Sequence, residues 1–450
     1  MLQIIRRRAL WDVIVAGGGT SGIAAGVAYA RAGCRTLIIE KNSYLGGTAT
    51  GGLVMPMMRN ILDNGENLNG GLYLEILEKL AISGHSAIHK DGNQGWFDPE
   101  MMKCALDDMC EESGVDILFN TTVTGVNKES DKILSLDCIN KSGSTNLKAL
   151  YFIDATGDAD IAALAGVPFE LGDSEESYTG IFLDENNHKH QSFSLRFTLA
   201  NVDLEVFAKF LLEIDPDSPV SSVVYDNTGQ ILLTTAHTWD GDLWKLRPYF
   251  KNAVQEKIIE PEDGAYFQLF SIPGQKNAIS LNCPRIYSEK NLHPLNMWDV
   301  SYALKHGRKQ IRRLARFCIS YLPGFEDSYI SQIAPELGVR DSRRIRGKYR
   351  LTEEDIFNGK KCPLSAAKSN YPVDIHSDEK GKSVLKHLPK NEYYEIPYES
   401  LVASEINNLA VVGRCISASF RAQASLRIQP NCWAMGEYAG KSAAEKLNKR

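Results

Sequence analysis

The sequence predicts an α/β chain, in which a parallel sheet opened at the N-terminus is completed by the C-terminus and interrupted by a mixed α+β segment. Three observations carry this. Near the start, WDVIVAGGGTSGIAAGVAYARAGCRTLIIE reads as strand, glycine turn, alanine-rich helix and strand. Near the end, NLAVVGRCISASFRAQASLRIQPNCWAMGEYAG reads as an apolar strand, a polar loop and a helix dense in small residues. Between them, alternating runs such as SFSLRFTL lie among amphipathic helical ones.

Composition bounds the classes. A chain of 450 residues is longer than one ordinary domain. Hydrophobic content of 43% and charged content of 24% are those of a soluble globular protein. A net charge of −6, with basic residues in local clusters and no single basic face, argues against general nucleic-acid affinity. Nine cysteines without CxxC or metal-like spacing fit reduced thiols in a cytoplasm, and no metal site is expected. No apolar run reaches membrane-spanning length. The opening MLQIIRRRALWDV has arginines before apolar residues, like a leader peptide. Asp12 interrupts the run, however, and the same residues are needed as the first strand.

Val13, Ile14 and Val15 read as a buried parallel strand. Gly17, Gly19 and Gly22 then form GxGxxG. Gly17 permits the tight turn, Gly19 lets a pyrophosphate approach the backbone, and Gly22 lets helix and strand pack closely. The helix start at Thr20 and Ser21 offers N–H groups and dipole to phosphate. Leu37–Ile39 is the second strand, and Glu40, followed by Lys41, stands where a carboxylate accepts from both ribose hydroxyls. A strand before, a helix after and an acid at this distance make the motif specific for a Rossmann-like dinucleotide site. YLGGTATGG follows at once, and Gly46, Gly47 and Thr48 make a second backbone-rich loop able to continue along a longer cofactor, which favours FAD over NAD.

On these residues, with the ATGDAD and GRCISAS stretches further on, the chain resembles the FAD-dependent oxidoreductases of the fumarate-reductase and glutathione-reductase-like superfamily, above all their bacterial FAD-dependent oxidoreductase branch. The resemblance implies a Rossmann-like FAD-binding domain over 1–166, an inserted mixed α+β substrate or cap domain over 167–335, and an active-site segment with the completion of the FAD domain over 336–450. It implies that backbone near Val123 meets the adenine, and that Ala155, Thr156, Gly157 and Asp158 pass the pyrophosphate and ribose. Asp158 reads equally as an N-cap for the helix that follows. Gly413 and Arg414 would approach the ribityl or phosphate portion. Arg427, Gln429 and the helix opening at Pro430 would face the flavin ring, where a helix N-terminus favours negative charge on reduced flavin. The alternative for that helix is packing alone.

Other elements follow from local chemistry. Asp98 caps and Pro99 opens a helix whose buried stripe is Met102, Ala105, Leu106, Met109 and Cys110, with Gly114 just past its end. AYFQLFSIPGQKNAISLNC reads as a hairpin turning at PGQKN. MWDVSYALKHGRKQIRRLARFCISYLPG reads as a long amphipathic helix stopped by Pro323-Gly324. HSDEKGKSVLKHLPKN reads as the most mobile loop.

The chemistry is less specific. No CxxxxC pair and no second GxGxxG occur, so neither a disulfide-reductase mechanism nor ready direct reduction by NADH or NADPH is expected. GGTATGG contains no histidine, which disfavours covalent flavin attachment there. RDSRRIRGKYRL resembles a family motif R-x-S-R-R-I-x-G-x-Y-x-L and alternates from Ile345 to Leu351 as in a strand, with a Thr352–Asp355 capping box after it. Arg340 and Arg344 are the candidate substrate-facing residues, with a solvated charged face as the alternative. His376 is the candidate acid or base, with a structural histidine as the alternative. Arg343, Arg346, Arg421 and Arg427 add to an arginine density that suits an anionic substrate. The expected function is transfer of a hydride or electrons between FAD and a small organic, anionic substrate. The rivals are a flavin monooxygenase, a non-redox FAD enzyme and a non-catalytic FAD-containing binding module. Substrate identity, electron acceptor and oligomeric state are left open by the sequence.

Overall fold

The structure is a computed structural model that describes residues 10–87, 95–180, 188–218, 220–226, 228–236, 244–288, 291–376 and 383–448. Three elements open it: strand β1 (Trp11–Ala16), helix α1 (Thr20–Arg31) and strand β2 (Thr36–Ile39). Val13 and Val15 are fully buried, and so is the neighbouring Ile14, because both faces of a parallel sheet are covered. Five parallel segments lie in the order Asp116–Leu118, β2, β1, the C-terminal half of Gly143–Asp154, and Leu409–Val411. The fifth strand comes from near the end of the chain, so this Rossmann-like sheet closes only when residues about 250 positions apart meet.

The strand Gly143–Asp154 does two jobs. Its first half pairs antiparallel with Lys132–Asn140 in a meander, and its second half runs parallel to β1. The helix before it, Pro99–Ser113, is capped as its sequence dictates: the Asp98 carboxylate accepts from the N–H of Glu100 at 2.9 Å, and Gly114 takes a left-handed φ of 75°.

The terminal helix Gln429–Asn448 lies on α1. A Cβ on Gly436 would collide with the Ser21 carbonyl, and one on Gly440 would stand 2.7 Å from the Ala25 carbonyl oxygen. The small residues of this helix therefore set the close approach of two helices.

A second, antiparallel sheet of six strands is built from residues 197–333, and the long helix Met297–Tyr321 packs against it. Ala303, Ile311, Leu314, Phe317 and Cys318 of that helix share one apolar core with Phe197, Phe207, Phe250 and Phe267. The opposite side of the helix exposes Lys305, Arg308, Lys309, Arg312 and Arg316, none with a carboxylate in ion-pair range among the described residues. The basic residues are thus not scattered local clusters: five line one face. Like charges three or four residues apart on a helix each cost about 0.2–0.5 kcal/mol.

Three local expectations are corrected. SFSLRFTL is not one half-exposed strand. Phe193–Ser194 and Phe197–Ala200 belong to different sheets, and Ser192, Ser194, Arg196 and Thr198 are buried like their apolar neighbours. An alternating pattern reports two unlike faces; here Ser194 and Arg196 of the polar face line an internal cavity and Thr198 meets the Ser331 hydroxyl at 2.8 Å, instead of solvent. The RIRGKYRL stretch is not a strand either: only Arg344–Ile345 pair, with Phe169–Glu170, and the rest threads between segments through single bridges at Gly347 and Leu351. The expected polar loop before the terminal helix contains a helix, Phe420–Leu426, capped by the Ser419 hydroxyl accepting from Ala422 N–H at 3.2 Å. The Thr352–Asp355 capping box forms in both directions. Of the loop read as mobile, residues 377–382 lie outside the described residues; Ser383–Lys386 pairs with Val373–His376. No helix among the described residues is long and apolar enough to cross a membrane.

Candidate functional site

The glycine turn after β1 opens a groove of about 430 Å³. Its glycines do different work. Gly17 sits at φ 101°, and a Cβ there would collide with the Ala155 carbonyl. A Cβ on Gly22 would collide with the Gly17 carbonyl. Gly18, which the motif reading passed over, has no more room: its Cβ would lie 2.6 Å from Leu45 Cδ2. Gly19 differs. Its backbone is ordinary, and its Cβ would meet nothing nearer than Gly47 Cα at 4.0 Å, so it would stand in the open groove. That is the space a pyrophosphate needs above the N-terminus of α1.

Gly46 and Gly47 carry the second loop alongside, Gly46 N–H donating to the Gly18 carbonyl at 2.8 Å. Glu40 is buried; its Oε2 accepts from Gly18 N–H at 2.6 Å and its Oε1 from Asn42 N–H at 2.8 Å. Burial holds its carboxyl above the usual range, and the two N–H donors work against that. Each oxygen keeps a lone pair toward the groove, as a ribose diol requires.

Thr20, Ser21, Lys41, Thr48, Val123, Ala155, Thr156, Gly157, Asp158, Gly413 and Arg414 line the same groove, brought together from five segments of the chain. Gly22 and Gly46 shape it without lining it; Pro430, the second residue of the terminal helix, lines neither this groove nor the cavity beside it. Asp158 is no helix cap: its Oδ1 accepts from Arg414 Nη2 at 2.7 Å and from the Ser342 hydroxyl at 2.6 Å. The capping role falls to the fully buried Asp154, missed in the sequence, which accepts from Thr156 N–H, the Thr156 hydroxyl and Ala162 N–H.

A second cavity of about 350 Å³ shares Thr48, Val339, Arg414 and Arg427 with the groove, so the two adjoin across these residues. Its walls carry Arg196, Arg340 and Arg427 against one carboxylate, Asp374, with Tyr266, Tyr371, His376 and Gln429. Arg340 Nη1 donates to the Ser192 carbonyl at 2.6 Å, and Arg196 Nη1 to the Leu53 carbonyl at 3.0 Å. Arg427 Nη2 donates to the Asp374 carbonyl at 3.1 Å, and Gln429 Nε2 to the Val54 carbonyl at 2.6 Å. Burial, with Arg285 and Arg427 nearby, brings Arg340 down to about 9; burial brings Arg196 down to about 10. Among the described residues no carboxylate is in ion-pair range of Arg340 or Arg196, whereas Arg427 Nη2 lies 3.8 Å from Asp374 Oδ2.

Asp374 accepts from Tyr371 Oη at 3.2 Å and lies 3.1 Å from His376 Nε2. Burial alone would raise Asp374, but His376, Arg427 and Arg285 hold it below the usual carboxylate range. Burial and then Arg340 push His376 well below the ordinary imidazole value, against the pull of Asp374. The two shifts compete, since His376 lowers Asp374 only as an imidazolium. At neutral pH the imidazole is neutral and the arginines hold Asp374.

A pH consequence follows. The folded chain refuses a proton that unfolded His376 accepts near pH 6.5, so this residue's contribution to stability falls as pH drops below that value. Its slope is at most about 1.4 kcal/mol per pH unit. Unfolding free energies of the wild type and His376→Gln between pH 7.5 and 5.5, on the order of one residue's titration window, should therefore converge as the pH falls. Parallel profiles would show that His376 takes up its proton alike in the folded and the unfolded chain.

The remaining arginines are elsewhere. Arg344 is buried outside both cavities, its Nε donating to the Ala418 carbonyl at 3.0 Å and its Nη2 3.6 Å from Glu170. Arg343 binds Asp160 at 2.9 Å, Arg346 and Arg350 join Glu170, and the exposed Arg421 reaches Glu353. Of the six arginines read as suiting an anionic substrate, Arg340 and Arg427 reach the second cavity; Arg414, read as a cofactor residue, lines it as well. Arg196, Tyr266, Tyr371 and Asp374 were missed. The signal for Arg196 was a cation alternating with Leu195 and Phe197.

Among solved structures, the chain is similar to a flavoprotein/dehydrogenase from Cytophaga hutchinsonii, at 12% identity and TM-score 0.45 over 98% of this chain and 79% of that one. It is also similar to a geranylgeranyl bacteriochlorophyll reductase-like protein from Thermoplasma acidophilum, at 16% identity and TM-score 0.44 over 98% and 79%. A curated relative, thiamine thiazole synthase of Methanococcus aeolicus, is 31% identical over 163 residues. That match spans 34% of this chain and 57% of the relative. The profile of FAD dependent oxidoreductases matches residues 12–450, nearly the whole chain, and the protein belongs to that family.

Proposed function

We propose that the protein holds FAD non-covalently along the groove and oxidises or reduces a small anionic molecule in the adjoining cavity. The observation that carries this is the wall of Arg196, Arg340 and Arg427 facing one carboxylate, in a cavity that shares four lining residues with the groove. Guanidinium forks recognise carboxylates through paired hydrogen bonds, strengthened where water is excluded. Bound FAD supplies hydride or electron chemistry. The chain supplies position and charge: Glu40 for the ribose, the start of α1 for the pyrophosphate, Gly413, Arg414 and Arg427 along the middle of the cofactor, and Gln429 at the ring end. Tyr371 and the Asp374–His376 pair are the groups able to hold or move a proton beside the substrate. Ala155–Asp158 and Val123 fit the phosphate–ribose and adenine portions. The apolar core that gathers Leu53 with residues 193–337 supports a substrate domain drawn mainly from 167–335.

The test is an anaerobic screen of small carboxylates and their amides or esters against the FAD-loaded protein, read as loss of the yellow flavin absorbance. At least one carboxylate should bleach the flavin, and its neutral counterpart should fail or need a far higher concentration. Bleaching by neutral molecules, with no anion effective, would sink the proposal.

A further inference from the structure

The long helix Met297–Tyr321 presents a surface that the reaction above does not use. Trp298, Tyr302, Lys305, Lys309, Arg312 and Arg316 follow one another at spacings of four, three, four, three and four residues. On a helix of 3.6 residues per turn these spacings keep all six on one narrow stripe, about 27 Å long. All six are exposed, Trp298 at 77%, and Met297 beside it is 73% exposed. Arg308 flanks the stripe. The only acid of this helix, Asp299, is buried on the inner side, where it accepts from His293 N–H.

A chain of net charge −6 has thus gathered five cations, without one acid, on a single helical face. Repulsion between neighbours works against the helix, so folding gains nothing from this arrangement. An anionic partner surface does account for it. The order of residues says which kind. An aromatic end with an exposed Trp and Met, followed by a straight row of Lys and Arg, matches a helix lying in the plane of a bilayer. There the ring sits at the acyl boundary and the cations sit among phosphates. The stripe follows one face of the helix along its length, which suits a flat lattice of charge.

We propose that this helix docks the protein onto an anionic phospholipid surface through Trp298, Tyr302, Lys305, Lys309, Arg312 and Arg316. The inner side of the same helix, at Val300 and Leu304, lines the cofactor groove. Docking therefore brings the groove within about one helix diameter, ~10–12 Å, of the headgroups. This docking lays the helix on the membrane surface; no helix among the described residues is long and apolar enough to cross it.

The test uses the full FAD-loaded chain with phosphatidylcholine vesicles, with and without phosphatidylglycerol, in a sedimentation assay. Association is expected only with the anionic vesicles, and raised salt should reverse it. Each cation near the surface is worth about a fivefold change in partition. The combined variant Lys305→Glu, Lys309→Glu, Arg312→Glu should therefore lose binding by about a hundredfold or more. It should melt no lower than wild type, because repulsive pairs are removed. A control with the same charge change, Lys132→Glu, Lys141→Glu, Lys148→Glu on the exposed meander, should bind as wild type does. Trp298→Ala should weaken binding several-fold. No association with anionic vesicles at low salt would overturn the proposal. So would equal losses in the two triple variants, or retention on an immobilised acidic protein without vesicle binding.

Discussion

Gly19→Val should yield a folded protein that no longer holds FAD. The backbone at Gly19 has φ −75° and ψ −179°, an extended conformation that a branched residue adopts without strain. A Cβ there meets no protein atom closer than 4.0 Å, so the fold has room for it. The Val methyls would occupy the volume that brings a pyrophosphate against the start of α1. Loss of two charge-assisted hydrogen bonds, about 1.5–3 kcal/mol each, weakens FAD at least about a hundredfold. Titration of the apo-protein by flavin fluorescence measures this, with the apo-protein melting temperature as the control for folding. Gly22→Val is the contrasting case. Its Cβ would collide with the Gly17 carbonyl, so that variant should lose the fold along with the cofactor. Unchanged FAD affinity in Gly19→Val would mean that the phosphates take another path.

Arg340→Ala and Arg344→Ala should fail in opposite ways. Arg340 lines the cavity among Arg196, Arg285 and Arg427, so its removal relieves repulsion and leaves the melting temperature nearly unchanged. Loss of a charged hydrogen bond to the substrate, about 1.5–3 kcal/mol, should lower kcat/KM for an anionic substrate by about tenfold to a hundredfold. Arg340→Lys should restore only part of this, because an ammonium keeps the charge without the fork. Arg344 contacts no cavity. Its truncation breaks a buried ion pair with Glu170, and about 3 kcal/mol of stability should go with it. That is the low end for such a pair, since Glu170 keeps Arg346 and Arg350. FAD content and substrate response should persist in Arg344→Ala below its melting transition. The reverse pattern, with activity lost in a stable Arg344→Ala and kept in Arg340→Ala, would exchange the roles assigned to the two residues.

The cofactor groove was legible to the extent that it is local. From Val13 to Thr48, turn, helix, second strand and acid follow within about one βαβ unit, and each residue type answers to a constraint set by its near neighbours. Gly413 and Arg414 were legible for a related reason: an apolar strand ending in a glycine has few places to go in an open parallel sheet. Even so, the sequence could not separate Gly19, whose Cβ faces open groove, from Gly17, Gly18 and Gly22, whose Cβ atoms face protein. That distinction depends on Ala155 and Leu45, which lie elsewhere in the chain. Of the two readings of the terminal helix, the packing one is seen directly, since its small residues seat it on α1; Gln429 at its start lines the second cavity.

By itself the sequence determined the Rossmann-like sheet, its dinucleotide motif, the helix caps at Asp98 and Thr352, and the abundance of arginine. These are short-range matters of hydrogen bonding, backbone freedom and composition. Only the tertiary structure decided which arginines face the second cavity. Arg340 and Arg344 lie four residues apart in one motif, yet one reaches the cavity and the other pairs with Glu170. Arg196 and Asp374 come from segments far apart in the chain. In the same way, the spacing of Trp298 to Arg316 was present in the sequence, but only packing of the opposite face on the antiparallel sheet turned that stripe to solvent. Periodicity says that a helix or strand has two faces. What covers each face depends on which distant segments arrive, and burial of charge is permitted or forbidden by those neighbours.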